Sequence, residues 1–171
     1  MPTPTRFEEL VLPHLDAAYN LARWLTRDVH DAEDVVQEAF LRAIKYVDSL
    51  KGESARAWLL TIVRHAFYDW CRRNRPAEIA ADDGTAIEMA VDVDGVTPEQ
   101  AFMRAAESKT LADAIAALPL PYREVLILRE LEELSYKEIA RVADIPIGTV
   151  MSRLARARAL LQGSPLLRAV N

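Results

Sequence analysis

Two short hydroxyl residues, Thr149 and Ser152, precede three arginines, Arg153, Arg156 and Arg158, in a stretch whose apolar residues recur at helical spacing. Guanidinium groups pair with phosphates or grip a guanine edge through two parallel hydrogen bonds, and short side chains let a helix approach a groove closely. A second group lies earlier in the chain. Thr61, His65, Tyr68 and Arg72 share one helical face, with Arg64 and Arg73 at its margins. An aromatic surface flanked by cations suits the holding of unstacked bases while the backbone is tracked electrostatically. A third group, Asp34, Gln37, Glu38 and Leu41, makes a strip of mixed acidic, amide and apolar character that can meet a basic partner helix. No nucleophile, base and orienter occur together, and there is no phosphate-binding glycine loop. The chain is therefore not expected to be an enzyme; no catalytic residue is named and no cofactor is expected. His14, His30, His65 and Cys71 have no metal-ligand spacing, and one cysteine cannot form an internal disulfide.

These groups need helices to hold them. Glycine is scarce (5 of 171 residues), and the 9 prolines fall mainly between periodic segments, which favours an all-α chain. The spacing predicts three N-terminal helices. The first runs from Arg6 to about Thr26 and is divided near Pro13. The second starts near Asp31, with Val35, Val36, Ala39, Phe40, Ala43, Ile44 and Val47 inward. The third starts near Ala55 and ends in Arg72-Arg73-Asn74-Arg75-Pro76, with Trp58, Phe67 and Trp70 read as core and Cys71 as a small buried residue. A C-terminal set begins at Thr97-Pro98, where Thr97 is suited to cap and Pro98 to the first helical position. It continues in a helix from Tyr122 to about Glu132 and ends in two short helices.

The net charge of −5 argues at first against nucleic-acid binding. Its distribution reverses that. Residues up to Arg75 hold 11 basic and 11 acidic side chains, Pro76 to Glu107 hold 1 and 8, and the remainder holds 9 and 7. The negative excess sits in an aperiodic middle segment, read as a flexible acidic linker between two small helical domains, over 77–97 between 5–76 and 98–165. No apolar run is long enough to span a bilayer and no basic-then-apolar leader opens the chain, so no membrane insertion and a cytoplasmic setting are expected.

The sharpest local signal is Ser135-Tyr-Lys-Glu138, a capping box at the start of a short helix. Ile139, Ala140 and Ala143 face inward, Asp144-Ile145-Pro146 turns the chain, and Val150, Leu154, Ala157 and Leu161 form the buried stripe of the next helix. Thr149, Ser152, Arg153 and Arg156 lie opposite that stripe, as in the second helix of a helix-turn-helix. A helical hairpin with solvated arginines is the plainer alternative. The motif alone does not separate a repressor from a promoter-specificity subunit.

The longer runs do. Leu118-Pro119, Tyr122-Arg-Glu-Val-Leu-Ile-Leu, Leu134-Ser-Tyr-Lys-Glu-Ile-Ala140, Ile145-Pro-Ile-Gly-Thr-Val-Met-Ser-Arg-Leu154 and Arg156-Ala-Arg158 together resemble region four of extracytoplasmic-function sigma factors. Asp31-Ala-Glu-Asp-Val-Val-Gln-Glu-Ala-Phe-Leu-Arg42 and Trp58 to Arg73 resemble their region two. The resemblance implies an alternative sigma factor that binds RNA polymerase core, recognises minus-thirty-five and minus-ten elements, and melts promoter DNA for a stress or signal regulon. It implies docking on the β′ clamp helices through Asp34, Gln37, Glu38 and Leu41, with region four also meeting the β flap. It implies minus-ten contacts by Lys51, Ser54, Arg64, His65, Tyr68, Arg72 and Arg73. It assigns minus-thirty-five contacts to Thr149, Met151, Ser152, Arg153, Arg156 and Arg158. The family pattern places an anti-sigma factor among the partners, and the linker in the polymerase cleft, where Asp82, Asp83, Glu88, Asp92 and Asp94 would mimic nucleic-acid charge.

Two positions depart from the pattern: Met151, where many members carry Lys or Arg, and His65, where many carry Asn. Both bear on promoter choice. A free-standing helix-turn-helix regulator and a decoy that occupies an anti-sigma protein are the competing readings. The retained Arg153, Arg156 and Arg158 speak against the decoy.

Overall fold

The computed structural model describes residues 5–52, 54–76 and 109–165. The acidic segment 77–97 and the helix start expected at Thr97-Pro98 lie outside the described residues. Among those described, every regular element is a helix.

The chain opens with α1 (Arg6–Leu10), closed at its start by a capping box between Thr5 and Glu8. A single 3-10 turn, Leu12–His14, carries Pro13 at a position that needs no amide donor and leads into α2 (Leu15–Thr26). Pro13 thus divides the first helix as its sequence requires. The next helix, α3 (Val29–Tyr46), begins two residues before Asp31, because the Asp28 carboxylate caps it by accepting the Asp31 amide. After a 3-10 turn (Val47–Ser49), Gly52 takes a left-handed φ of 64°, a conformation that costs a residue with a Cβ. Ser54 then caps α4 (Ala55–Asn74).

The described C-terminal helices are α5 (Lys109–Ala116), α6 (Leu120–Glu130), α7 (Tyr136–Ala143) and α8 (Ile147–Gln162). The capping box of Ser135 and Glu138 is present, with both reciprocal bonds made. Asp144 ends α7 in the left-handed region at φ 55°, and Pro146 stands at the cap of α8, one position before the first helical residue.

Helices α2, α3 and α4 pack against one another, as do α6, α7 and α8. Leu21, Leu25, Leu59, Leu60 and Val63 fill the first core; Val125 to Leu128, Ile139, Val150 and Leu154 fill the second. Each such side chain contributes about 1.5–3 kcal/mol by leaving water. Phe67 and Trp70 are buried and Trp58 is partly buried, as their spacing required, and Cys71 is buried without a disulfide. Ile44 differs from expectation. It is 56% exposed, because the inward stripe runs through Val36, Ala39, Ala43 and Val47, and Ile44 turns off its edge.

The two helical groups do not stand apart. Helix α2 lies against α6, α4 lies against α7, and one hydrophobic cluster runs through both groups.

Candidate nucleic-acid interface

Helix α3 presents Asp34, Gln37 and Leu41 to solvent, with Leu41 66% exposed, while Glu38 is half-buried. The strip is longer than the sequence suggested, for Ile44, one turn beyond Leu41, extends it with exposed apolar surface. Glu38 is held from two sides, by Arg42 at 2.6 Å and Arg73 at 2.7 Å. Arg42 also meets Asp69 at 2.8 Å, and Asp69 meets Arg72 at 2.9 Å. Burial alone would raise the Glu38 carboxyl, but the hydrogen bonds from Arg73 and Arg42 bring it below its ordinary 4.5. The bond from Arg42 likewise holds Asp69 below its ordinary 3.8, against a smaller effect of burial.

Helix α4 splits the residues that the sequence grouped on one face. His65, Arg72 and Arg73 are exposed, as is Lys51 in the loop before it. The Ser54 hydroxyl is occupied as a cap, accepting the Ala57 amide at 3.3 Å. Thr61 bonds back to the Ala57 carbonyl at 2.8 Å. Arg64 and Tyr68 instead turn into the seam between the helical groups. There Arg64 forms an ion pair with Glu124 of α6 and lies over the Tyr68 ring at 4.5 Å, while the Tyr68 hydroxyl donates to Glu124 Oε2 at 3.5 Å.

Glu124 is only 1% exposed. Burial pushes its carboxyl up, opposed by Arg64, Arg153 and Tyr68. Burial and the neighbouring Glu124 charge together raise the Tyr68 phenol far above its ordinary 10, so it remains a donor. Further along the seam, Glu132 receives Arg56 at 2.5 Å and Asn20 at 3.1 Å. Arg123 donates to the Leu25 carbonyl at 3.3 Å, and Arg27 to that of Ala116 at 3.2 Å. Sequence reasoning gave no role to Glu124, Glu132 or Arg56.

In the C-terminal group, Val150, Leu154, Ala157 and Leu161 are buried and tie α8 to its neighbours. Met151 and Ser152 are exposed; Thr149, Arg153 and Arg156 are half-exposed. Arg158 is committed elsewhere, pairing with Glu130 at 2.7 Å and so bracing α8 against α6. The Arg129 guanidinium donates to the Leu134 carbonyl at 2.9 Å and covers the Tyr136 ring, fixing the start of α7. The described residues hold no group of His, Cys, Asp and Glu fit for a metal ion, and no helix long and apolar enough to cross a membrane.

Comparison with known proteins agrees with this geometry. Residues 10–77 match the family described as sigma-70 region 2, and residues 108–161 match sigma-70, region 4. The chain is 35% identical over 162 residues to the ECF RNA polymerase sigma factor SigW of Bacillus subtilis, covering 91% of this chain and 87% of that one. It is 36% identical over 150 residues to the ECF RNA polymerase sigma-E factor of Haemophilus influenzae, covering 83% and 77%. Among solved structures it resembles the sigma factor RpoE bound to the anti-sigma factor NepR from Bartonella quintana. That match has a TM-score of 0.72 and 31% identity, over 96% of this chain and 98% of the other. It also resembles CnrH in complex with the cytosolic domain of CnrY, with a TM-score of 0.65 and 27% identity, over 96% and 89%.

Proposed function

The chain belongs to the extracytoplasmic-function sigma factors, and from that membership we propose how its own residues divide the work of initiating transcription. Its family consists of transcription initiation factors rather than enzymes, so the residues below bind and position and do not catalyse. The N-terminal helices, within 5–76, dock on polymerase core and handle the minus-ten element. The C-terminal helices, within 98–165, read the minus-thirty-five element. The acidic segment 77–97 joins them and supplies charge to the polymerase cleft.

On α3, Asp34, Gln37, Glu38 and Leu41, extended by Ile44, meet the β′ clamp helices. On α4, His65, Arg72 and Arg73 contact minus-ten DNA, together with Lys51 and Ser54 before the helix; Arg64 and Tyr68 join them once uncovered. On α8, Thr149, Met151, Ser152, Arg153 and Arg156 face the minus-thirty-five duplex, and Arg158 acts by fixing the helix that carries them. An anti-sigma partner is proposed because the two solved neighbours are themselves sigma factors held by such proteins. A cytoplasmic site of action follows from the work proposed.

The observation that carries this reading is the pairing of an exposed acidic and apolar strip on α3 with a capped helix-turn-helix in α7 and α8. Run-off transcription on genomic fragments, with core polymerase and this chain, tests it. Discrete starts are expected that core alone does not make. Absence of any such start with folded protein would refute it.

A further inference from the structure

The most exposed row of α8 carries no charge. Ile147, Gly148, Met151, Ser152 and Ala155 recur at helical spacing along one face and are all exposed, Ile147 to 45% and Met151 to 53%. The one polar side chain among them, Ser152, donates its hydroxyl back to the Thr149 carbonyl at 3.1 Å. A Cβ added at Gly148 would meet nothing outside its own turn of backbone within 4 Å. Packing inside the chain therefore does not require glycine there, and the helix surface is open to close approach. The cations stand beside this row rather than on it. Arg153 and Arg156 lie along one edge, half-exposed, while Arg158 is turned onto Glu130 at 2.7 Å. On α7, Lys137 and Arg141 are exposed one turn apart.

We propose that Ile147 and Met151 read thymine methyl groups in the major groove of the minus-thirty-five element, while the flanking cations hold its phosphates. This rests on the proposed placement of α8 on that duplex, and it names what the exposed apolar row recognises. In a helix-turn-helix the N-terminal residues of the second helix meet base edges, and the first helix crosses the backbone. Ile147 and Met151 belong to the first two turns of α8, and Lys137 and Arg141 to α7. An apolar side chain gains nothing against a phosphate, and over a G·C edge it would leave donors and acceptors unpaired. It gains by covering the thymine C5 methyl, the one apolar group that the major groove displays. The two side chains stand about 6 Å apart along the helix axis. That is near two base steps at about 3.4 Å each, so neighbouring A·T pairs suit them. Met151 stands where many family members carry Lys or Arg, which makes this contact a property of this chain rather than of the family pattern.

The test rebuilds a promoter fragment mapped by run-off with deoxyuridine in place of each minus-thirty-five thymine in turn, on either strand, which removes only the C5 methyl. Affinity of the holoenzyme, core polymerase with this chain, is measured on each fragment by competition. With wild type, at least one replacement is expected to lower affinity about three- to fivefold, the worth of one methyl group taken from a contact. Ile147→Ala or Met151→Ala should weaken binding to the thymine duplex by a similar factor and abolish the thymine-to-deoxyuridine ratio at its own position. Arg156→Ala should weaken both duplexes alike and leave the ratio as in wild type. Wild type indifferent to every deoxyuridine, a minus-thirty-five element without thymine, or an unchanged ratio in both alanine variants would each overturn the proposal. The deoxyuridine series uses wild-type protein, so it is independent of any effect of the variants on folding. If the holoenzyme binds no promoter, the proposed function fails; indifference to deoxyuridine with normal promoter binding overturns this contact alone.

Discussion

Arg73 at the end of α4 donates to Glu38 in the middle of α3 at 2.7 Å, and Arg42 holds the other oxygen of that carboxylate at 2.6 Å. A residue proposed to meet DNA and one proposed to meet polymerase are thus joined by one ion pair. Arg42 is the hub, since it also reaches Asp69 on α4. Replacing Arg42 by Ala should lower the stability of the N-terminal helices by about 1 kcal/mol, discounted for its partial exposure. Urea denaturation measures this, and Arg42→Lys should recover part of it, because both bonds leave the single Nη2 nitrogen and a lysine ammonium has donors enough to replace both.

The same network sets a response to acid. Glu38 and Asp69 titrate below their ordinary 4.5 and 3.8, so their contribution is complete above those values. It is lost as pH falls through the depressed values of the folded state. Thermal stability should therefore be level on this account from pH 7 to about 5 and decline below about 4. The Arg42→Ala variant should show a shallower decline.

At the alkaline end, Tyr68 should stay protonated above its ordinary 10 while the chain is folded. Its phenol is raised in the folded chain, so its stabilising effect is intact below its ordinary 10 and is lost as pH climbs towards the folded value. Ultraviolet titration of the folded protein should therefore show no phenolate from Tyr68 until alkaline unfolding. The Tyr68→Phe variant should give the same titration curve while folded.

The exposed apolar strip on α3 gives a fourth test. Leu41 and Ile44 are 66% and 56% exposed, so Leu41→Asp and Ile44→Asp should change stability by less than about 0.5 kcal/mol. Both should nonetheless weaken binding to core polymerase by at least about tenfold, as loss of a central apolar contact does at interfaces. Equal core binding by wild type and both variants would remove α3 as the docking surface.

Met151 is 53% exposed on the same helix as the half-exposed Arg153 and Arg156. Adding a cation there with Met151→Lys should strengthen duplex binding and steepen its salt dependence by about 0.9 in the logarithmic slope, one more phosphate neutralised. Anisotropy titrations at several salt concentrations would show it; an unchanged slope would place Met151 away from the backbone.

Much of this architecture was legible because it is local. Capping residues, the division at Pro13, and the stripe of Val150, Leu154, Ala157 and Leu161 each depend on neighbours within a turn or two. The start of α3 was misplaced because Asp28 and Asp31 are both suited to a helix start, and only the bond between them shows which one caps. Ile44 was misassigned because its spacing from Phe40 fits the inward stripe, while Phe40 itself sits at that stripe's partly buried edge.

The seam was illegible for a different reason. Arg64 and Glu124 are 60 residues apart, and no periodicity links them. The available signal was the matched spacing of Arg56 and Arg64 with Glu124 and Glu132, charged residues at the margins of otherwise apolar faces. Its effect is large, since it moves Arg64 and Tyr68 from an open face to a covered one.

The central claim is that this chain makes polymerase open promoter DNA. Permanganate reactivity of thymines, on promoters mapped by run-off, tests it most directly. Core polymerase with this chain should render thymines around the minus-ten element reactive, and neither component alone should do so. Protection of a duplex by the chain without core, with no reactive thymine when core is added, would contradict the claim and mark a free-standing duplex regulator instead.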